Sequence, residues 1–152
     1  MSPLAQQITD KLPWLFDELG FSIAHDEYDP KAFGDCLVIL KNDTLRLRFV
    51  KDRYISYVDL RLPSDPEPER WWSMDYVLEI IGGHLPEPTK NVEVLGSRLR
   101  ENLPALMEAV GPRLEQTKRA VEQRARERRQ AITNSIQRPI RKRSWLRRIF
   151  GN

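Results

Sequence analysis

The chain has 152 residues, 40% of them hydrophobic, with four Trp, four Tyr and five Phe, which is enough apolar material for one domain with a real core. A single cysteine, Cys36, excludes an internal disulfide framework, and no run approaches the roughly 18 to 20 apolar residues of a membrane span. The formal charge of +3 hides two opposed parts: 13 of the 25 Lys/Arg but 3 of the 22 acidic residues lie from Pro112 onward, a net of +10, and Met1 to Gly111 holds the remaining 12 against 19, a net of −7.

Ser2-Pro3 reads as a helix start, a capping residue followed by proline at the first helical position. Leu4, Ile8, Leu12, Leu15, Phe16 and Leu19 follow at spacings of three or four and so share one helical face. Gly20 supplies the stop, and Pro13 should kink or split the helix. The N-terminus has no basic start and acids interrupt its apolar residues, so it does not read as a secretory signal. A cytoplasmic location follows as the expectation.

Phe21 to Asp29 reads as a first strand, and Asp35 to Leu40 is a mostly apolar run closed by an Asn42-Asp43 turn. Leu45, Leu47 and Phe49 alternate with Arg46, Arg48 and Val50. After a short Lys51-Asp52-Arg53 turn, Tyr54, Ser56, Val58, Leu60 and Leu62 alternate with Ile55, Tyr57, Asp59 and Arg61. Period-two alternation with short polar connections predicts an antiparallel meander with one buried face. The other face would display Arg46, Arg48, Tyr57, Asp59 and Arg61.

Pro63 to Arg70 is a proline-rich acidic loop. Ser73 caps a short helix through Tyr76, Val77, Leu78, Ile80 and Ile81, which Gly82-Gly83 ends, and His84 to Lys90 is a second loop. From Val92 the chain is mostly helical, with apolar pairs Leu99/Leu103, Val110/Leu114, Val121/Ala125 and Ile132/Ile136. Their spacing of four within and seven between pairs is an eleven-residue period, which keeps a stripe nearly straight along a helix. Pro104 and Gly111-Pro112 should each break or bend it. Residues 113 to 130 present Glu, Gln, Lys and Arg, a surface that gains little from burial.

The predicted fold class is α+β: an antiparallel meander of three to four strands, helices packed on one face, and a helical C-terminal extension. Residues 1–111 form an acidic α+β body, 112–137 a charged helix and 138–152 a basic amphipathic tail. The predicted core is Leu4, Ile8, Leu15, Phe16, Leu45, Leu47, Phe49, Val58, Leu60, Val77 and Ile81.

In the tail, Arg138, Arg141, Lys142, Arg143, Arg147 and Arg148 surround Trp145, Leu146, Ile149 and Phe150. Three readings stand. The tail is solvated or docks on the acidic body of its own chain. Alternatively it contacts nucleic acid, releasing counterions and stacking Trp145 on a base. In the third reading it lies on an anionic membrane with its apolar residues in the interface, which would make the protein peripheral at the inner membrane. Residues 92–136 offer a stripe through which two copies of the chain could pair.

In the body, Trp71 and Trp72 follow the acidic loop. One indole should plug the core and the other cover a loop, unless the exposed one anchors a partner, as Trp and Arg do at binding hot spots. Arg46, Arg48, Asp59 and Arg61 form either cross-strand charge pairs or a protein-binding face. His25 with Asp26, Glu27 and Asp29 lacks the convergent spacing of a metal site or a carboxylate pair. Cys36 falls in an apolar strand, where a thiol is inert. Glycine-rich phosphate loops, Cys/His clusters at metal spacing and a serine elbow are all missing from the sequence, so neither a cofactor, a metal nor a catalytic residue is expected.

Residues 33–83 carry Leu-Arg-x-Arg-Phe-Val-Lys-Asp-Arg, Tyr-Val-Asp-Leu and Trp-Trp-Ser-Met-Asp-Tyr-Val-Leu. This third of the chain resembles small uncharacterised bacterial α+β proteins, some of them like the immunity proteins of toxin systems. The resemblance implies a non-enzymatic binder that neutralises a toxin, and implies nothing for the tail. The leading expectation is therefore a bacterial cytoplasmic protein acting by protein–protein contact, with nucleic-acid binding or membrane attachment through residues 138–150 as the alternatives.

Overall fold

A computed structural model describes the backbone of residues 1–150 and the side chains of residues 1–136. The elements run α1 (Pro3–Lys11), α2 (Pro13–Asp17), β1 (Ser22–Asp29), β2 (Asp35–Lys41), β3 (Arg46–Asp52), β4 (Ile55–Arg61), β5 (Trp72–Ser73), α3 (Met74–Gly82), α4 (Val92–Val110) and α5 (Leu114–Phe150). They divide into two compact units, Met1–Thr117 and Lys118–Asn152.

The first unit is an α+β fold on a five-stranded antiparallel sheet in the order β1-β2-β3-β4-β5. Five strands replace the three to four expected. The extra one, β5, is two residues long, too short to show a period, and exists because Trp72 lies opposite Leu60 and Ser73 opposite Asp59.

Local chemistry accounts for the helix ends. The Ser2 hydroxyl accepts from the Ala5 N–H at 3.0 Å, capping α1. Pro13 splits the first helical segment at Leu12, as its missing N–H requires. Gly20 closes the segment at φ +67°. Asn42 makes the β2–β3 turn by accepting from the N–H groups of Thr44 and Leu45 at 2.9 and 2.8 Å.

One face of the sheet carries Val38, Leu40, Leu47, Phe49, Val58 and Leu60, all buried, against α1, α3 and α4. Ile8, Leu15, Met74, Val77, Leu95, Leu99 and Leu106 fill the other side of this core. Two members of the expected core lie further out: Phe16 is half-buried, and Ile81, in the last turn of α3, is 44% exposed.

Helix α4 continues through Pro104 instead of breaking there. Leu95, Leu99 and Leu106 are fully buried on either side of the proline, and that burial holds the helix across the lost hydrogen bond. The break comes at Gly111-Pro112. There the Arg113 N–H donates to the Glu108 carbonyl at 3.0 Å, and the buried Thr117 hydroxyl donates to the Ala109 carbonyl at 2.6 Å. The eleven-residue stripe is buried at Leu99 and Val110, half-buried at Val121 and Ala125, and exposed at Ile132 and Ile136 (59% and 63%). The tail contacts assigned from the sequence, Arg138 to Phe150, lie outside the described side chains. No helix among the described residues is long and apolar enough to cross a membrane.

Candidate functional site

Side chains directly opposite each other on neighbouring strands share a face. The register sets Leu37 opposite Val50, Ile39 opposite Arg48, Lys41 opposite Arg46, Arg48 opposite Asp59, Val50 opposite Tyr57 and Arg46 opposite Arg61. All of these lie on the side of the sheet away from the core that α1, α3 and α4 cover. Leu37, Ile39, Val50, Arg48, Tyr57 and Arg61 are half-buried, so the face is neither a closed core nor a fully solvated surface.

Arg48 organises its centre. Its Nε and Nη2 both donate to Asp59 Oδ2, at 2.9 and 2.6 Å. Asp59 lies on this outer face but is buried there, its side chain only 7% exposed, rather than displayed as the alternation suggested. Burial pushes its carboxyl above the ordinary range; the Arg48 hydrogen bonds and charge oppose this, and the charge of Asp75 adds to it. Burial likewise raises the Tyr57 phenol, with a further push from Asp59.

Trp71 covers this pair. The Arg48 guanidinium lies 4.7 Å from the Trp71 ring centroid and that of Arg61 lies 6.0 Å away, so one half-exposed indole is held by two cations. Arg46 stands beside Arg61 and donates through Nη1 to the Asn42 carbonyl at 2.5 Å. Trp72 faces the other way. It is 6% exposed and donates from Nε1 to Asp65 Oδ2 at 3.3 Å. Trp72 is the expected interior indole, while Trp71 lies over the sheet arginines instead of covering a loop.

Asp65 fixes the loop that presents Trp71. It also accepts from Arg70 Nη2 at 2.9 Å, Arg70 Nε at 3.2 Å and the Glu67 N–H at 2.9 Å. Burial alone would raise this carboxyl, but the donors from Arg70, Glu67 and Trp72 outweigh it and hold it below the usual range.

Sequence reasoning brought Arg46, Arg48, Tyr57, Asp59 and Arg61 to one face and did not bring Trp71 there. It missed Leu37, Ile39 and Val50, which make that face partly apolar. The signal was present: Cys36 to Leu40 is apolar at consecutive positions, as expected of a strand that is at least half-buried on both sides. Asp65 gave no signal, because its partners are set by the course of the loop.

The remaining sequence candidates serve structure. Asp26 Oδ2 accepts from the Ser2 N–H at 2.8 Å, tying the N-terminus to β1, and His25 Nε2 lies 3.3 Å from Glu27 Oε2. Cys36 is buried, its thiol donating to the Gly34 carbonyl at 3.4 Å. Among the described residues no group of three or more His, Cys, Asp or Glu side chains could hold a metal ion. No family model, no curated protein and no solved structure matches the chain.

Proposed function

We propose that this is a non-enzymatic binding protein that acts by protein–protein contact through the open face of its sheet. The observation that carries the proposal is the half-exposed Trp71 clamped by Arg48 and Arg61 beside the half-buried Leu37, Ile39 and Val50. An aromatic anchor, arginines and an apolar floor are what the energetic centres of protein interfaces are made of, whereas a purely solvated face would not retain them. The Asp65 cage holds the anchor's loop in place, so little ordering entropy would be lost on docking. The resemblance of residues 33–83 to immunity-like proteins points the same way and makes a toxin domain the partner class to try first.

Affinity capture with the full chain from its native host tests this reading when run beside Trp71→Ala. Loss of a hot-spot tryptophan costs about 2 kcal/mol or more, roughly a thirty-fold fall in affinity. A protein retained by the wild type should therefore be lost from the variant while the two circular dichroism spectra coincide. Equal retention by both chains refutes docking at this face.

A further inference from the structure

A second feature lies at the margin of the sheet. Between β4, the start of α3 and the Leu85–Pro88 segment is a cleft of about 340 Å³. Ile55, Leu85, Pro86 and Pro88 give it apolar walls, and the Tyr57 and Tyr76 rings line it as well. Its remaining polar groups are the carboxylates of Asp59 and Asp75 and the hydroxyls of Ser56 and Ser73. Among the described residues no Lys, Arg, His, Asn or Gln lines it. Every side-chain polar atom it offers is therefore a hydrogen-bond acceptor, and the only donors are hydroxyls that can turn.

Strand register and a helix cap build this arrangement. Ser73 pairs with Asp59 across β4 and β5 and accepts from the Tyr76 N–H as the cap of α3, which sets Asp75 two positions on. The two carboxylates line the same cleft. Arg48 places both of its bonds on Asp59 Oδ2, so Oδ1 has no bond to that arginine. Asp75 Oδ1 is buried and forms an ion pair with Arg98 Nη1 at 3.7 Å, neither atom making a hydrogen bond. Neither arginine lines the cleft.

We propose that this cleft binds an organic cation, a guanidinium or alkylammonium head on an apolar stem. The head would reach Asp59 and Asp75, and the stem would lie along Ile55, Leu85 and the prolines. Tyrosine rings favour such a head through their π faces, and desolvated contacts of this type are the stronger ones. A metal ion fits less well, because two carboxylates without a third ligand do not form a chelating set. Two sources share this chemistry, a free amine or the Arg or Lys side chain of another protein. The inference stands whether or not the Trp71 face docks a partner.

The test uses the full chain and three probes: agmatine, an acetyl-Gly-Arg-Gly-amide peptide, and the same peptide with citrulline in place of arginine. Two-dimensional NMR follows the Tyr57 and Tyr76 rings and the Ile55 and Leu85 methyls. Saturable shifts confined to these groups, with dissociation constants of order 1 mM, are expected for agmatine, the arginine peptide or both, and none for the citrulline peptide. Equal binding of the two cations identifies a free amine as sufficient; binding of the peptide alone identifies a partner's side chain. Asp75→Asn should weaken binding about tenfold, the effect of losing one charged contact of roughly 1.4 kcal/mol. Tyr76→Ala, at a residue 44% exposed, should fold normally and weaken binding too, and it decides the matter if Asp75→Asn misfolds. Absence of saturable shifts from both cations, equal shifts from citrulline, or wild-type binding by the folded variants overturns the proposal.

Discussion

Asp65 has no exposed side-chain surface, yet it takes part in four hydrogen bonds and an ion pair with Arg70. A buried charge so engaged stabilises only while it is charged. Its carboxyl titrates below its ordinary value in the folded state, so its contribution is complete above about pH 4 and is lost as pH falls through the folded value. Asp59 and Asp75 have the opposite sign. Burial raises both, so what they contribute is largest in acid and is lost as pH rises through their folded values. The whole protein's acid titration therefore mixes the two, but the difference between wild type and Asp65→Asn isolates one. We expect that difference, measured by urea unfolding, to be constant near neutrality and to shrink on acidification below about pH 4. A difference that does not change with pH would remove the charge from the explanation. Asp65→Ala, which also orphans Arg70 and the Trp72 N–H, should cost about 3 to 5 kcal/mol.

Where α4 crosses the first helical segment, side-chain size sets how close the backbones come. Gly96 is buried in the middle of α4, and a Cβ there would overlap the side chain of the buried Leu12. In an isolated helix Gly→Ala gains up to about 1 kcal/mol. Here overpacking should win, and Gly96→Ala is expected to lower stability by about 1 to 2 kcal/mol, seen as a lower thermal midpoint. A higher midpoint would mean that Leu12 moves aside freely.

The same contrast between local and tertiary causes separates what was legible in the sequence from what was not. Alternation in Leu45–Val50 and Ile55–Arg61 located β3 and β4 and their faces, because strand period is a local property. The split at Pro13 and the break at Gly111-Pro112 were legible for the same reason. Continuity of α4 across Pro104 was not, since it rests on packing by residues on both sides. Strand β5 and the cleft were hidden too. One exists only as a partner of Leu60 and Asp59, and the other brings together residues from β4, α3 and a loop.

At the scale of the whole molecule, charge and compactness divide the chain at nearly the same place. Lys118–Asn152 holds 12 of the 25 Lys/Arg and 2 of the 22 acidic residues, net +10, and Met1–Thr117 holds 13 against 20, net −7. Sequence composition put the boundary at Gly111. Contacts put it at Thr117, because the first turn of α5 belongs to the acidic unit. Thr117 is buried and donates to the Ala109 carbonyl, Arg113 bonds back to Glu108, and the charge of Glu115 supports Arg70, the main partner of Asp65. The six residues between the two boundaries carry one Arg and one Glu, so charge counting cannot place them, while hydrogen bonding can. A chain ending at Thr117 should consequently unfold cooperatively with stability close to that of the unit in the full protein. A chain ending at Gly111 should be about 1 to 3 kcal/mol less stable, the cost of leaving the Ala109 and Glu108 carbonyls without those donors. Equal denaturation midpoints for the two truncations would place the end of the folded body at Gly111, and the first turn of α5 would then belong with the basic extension.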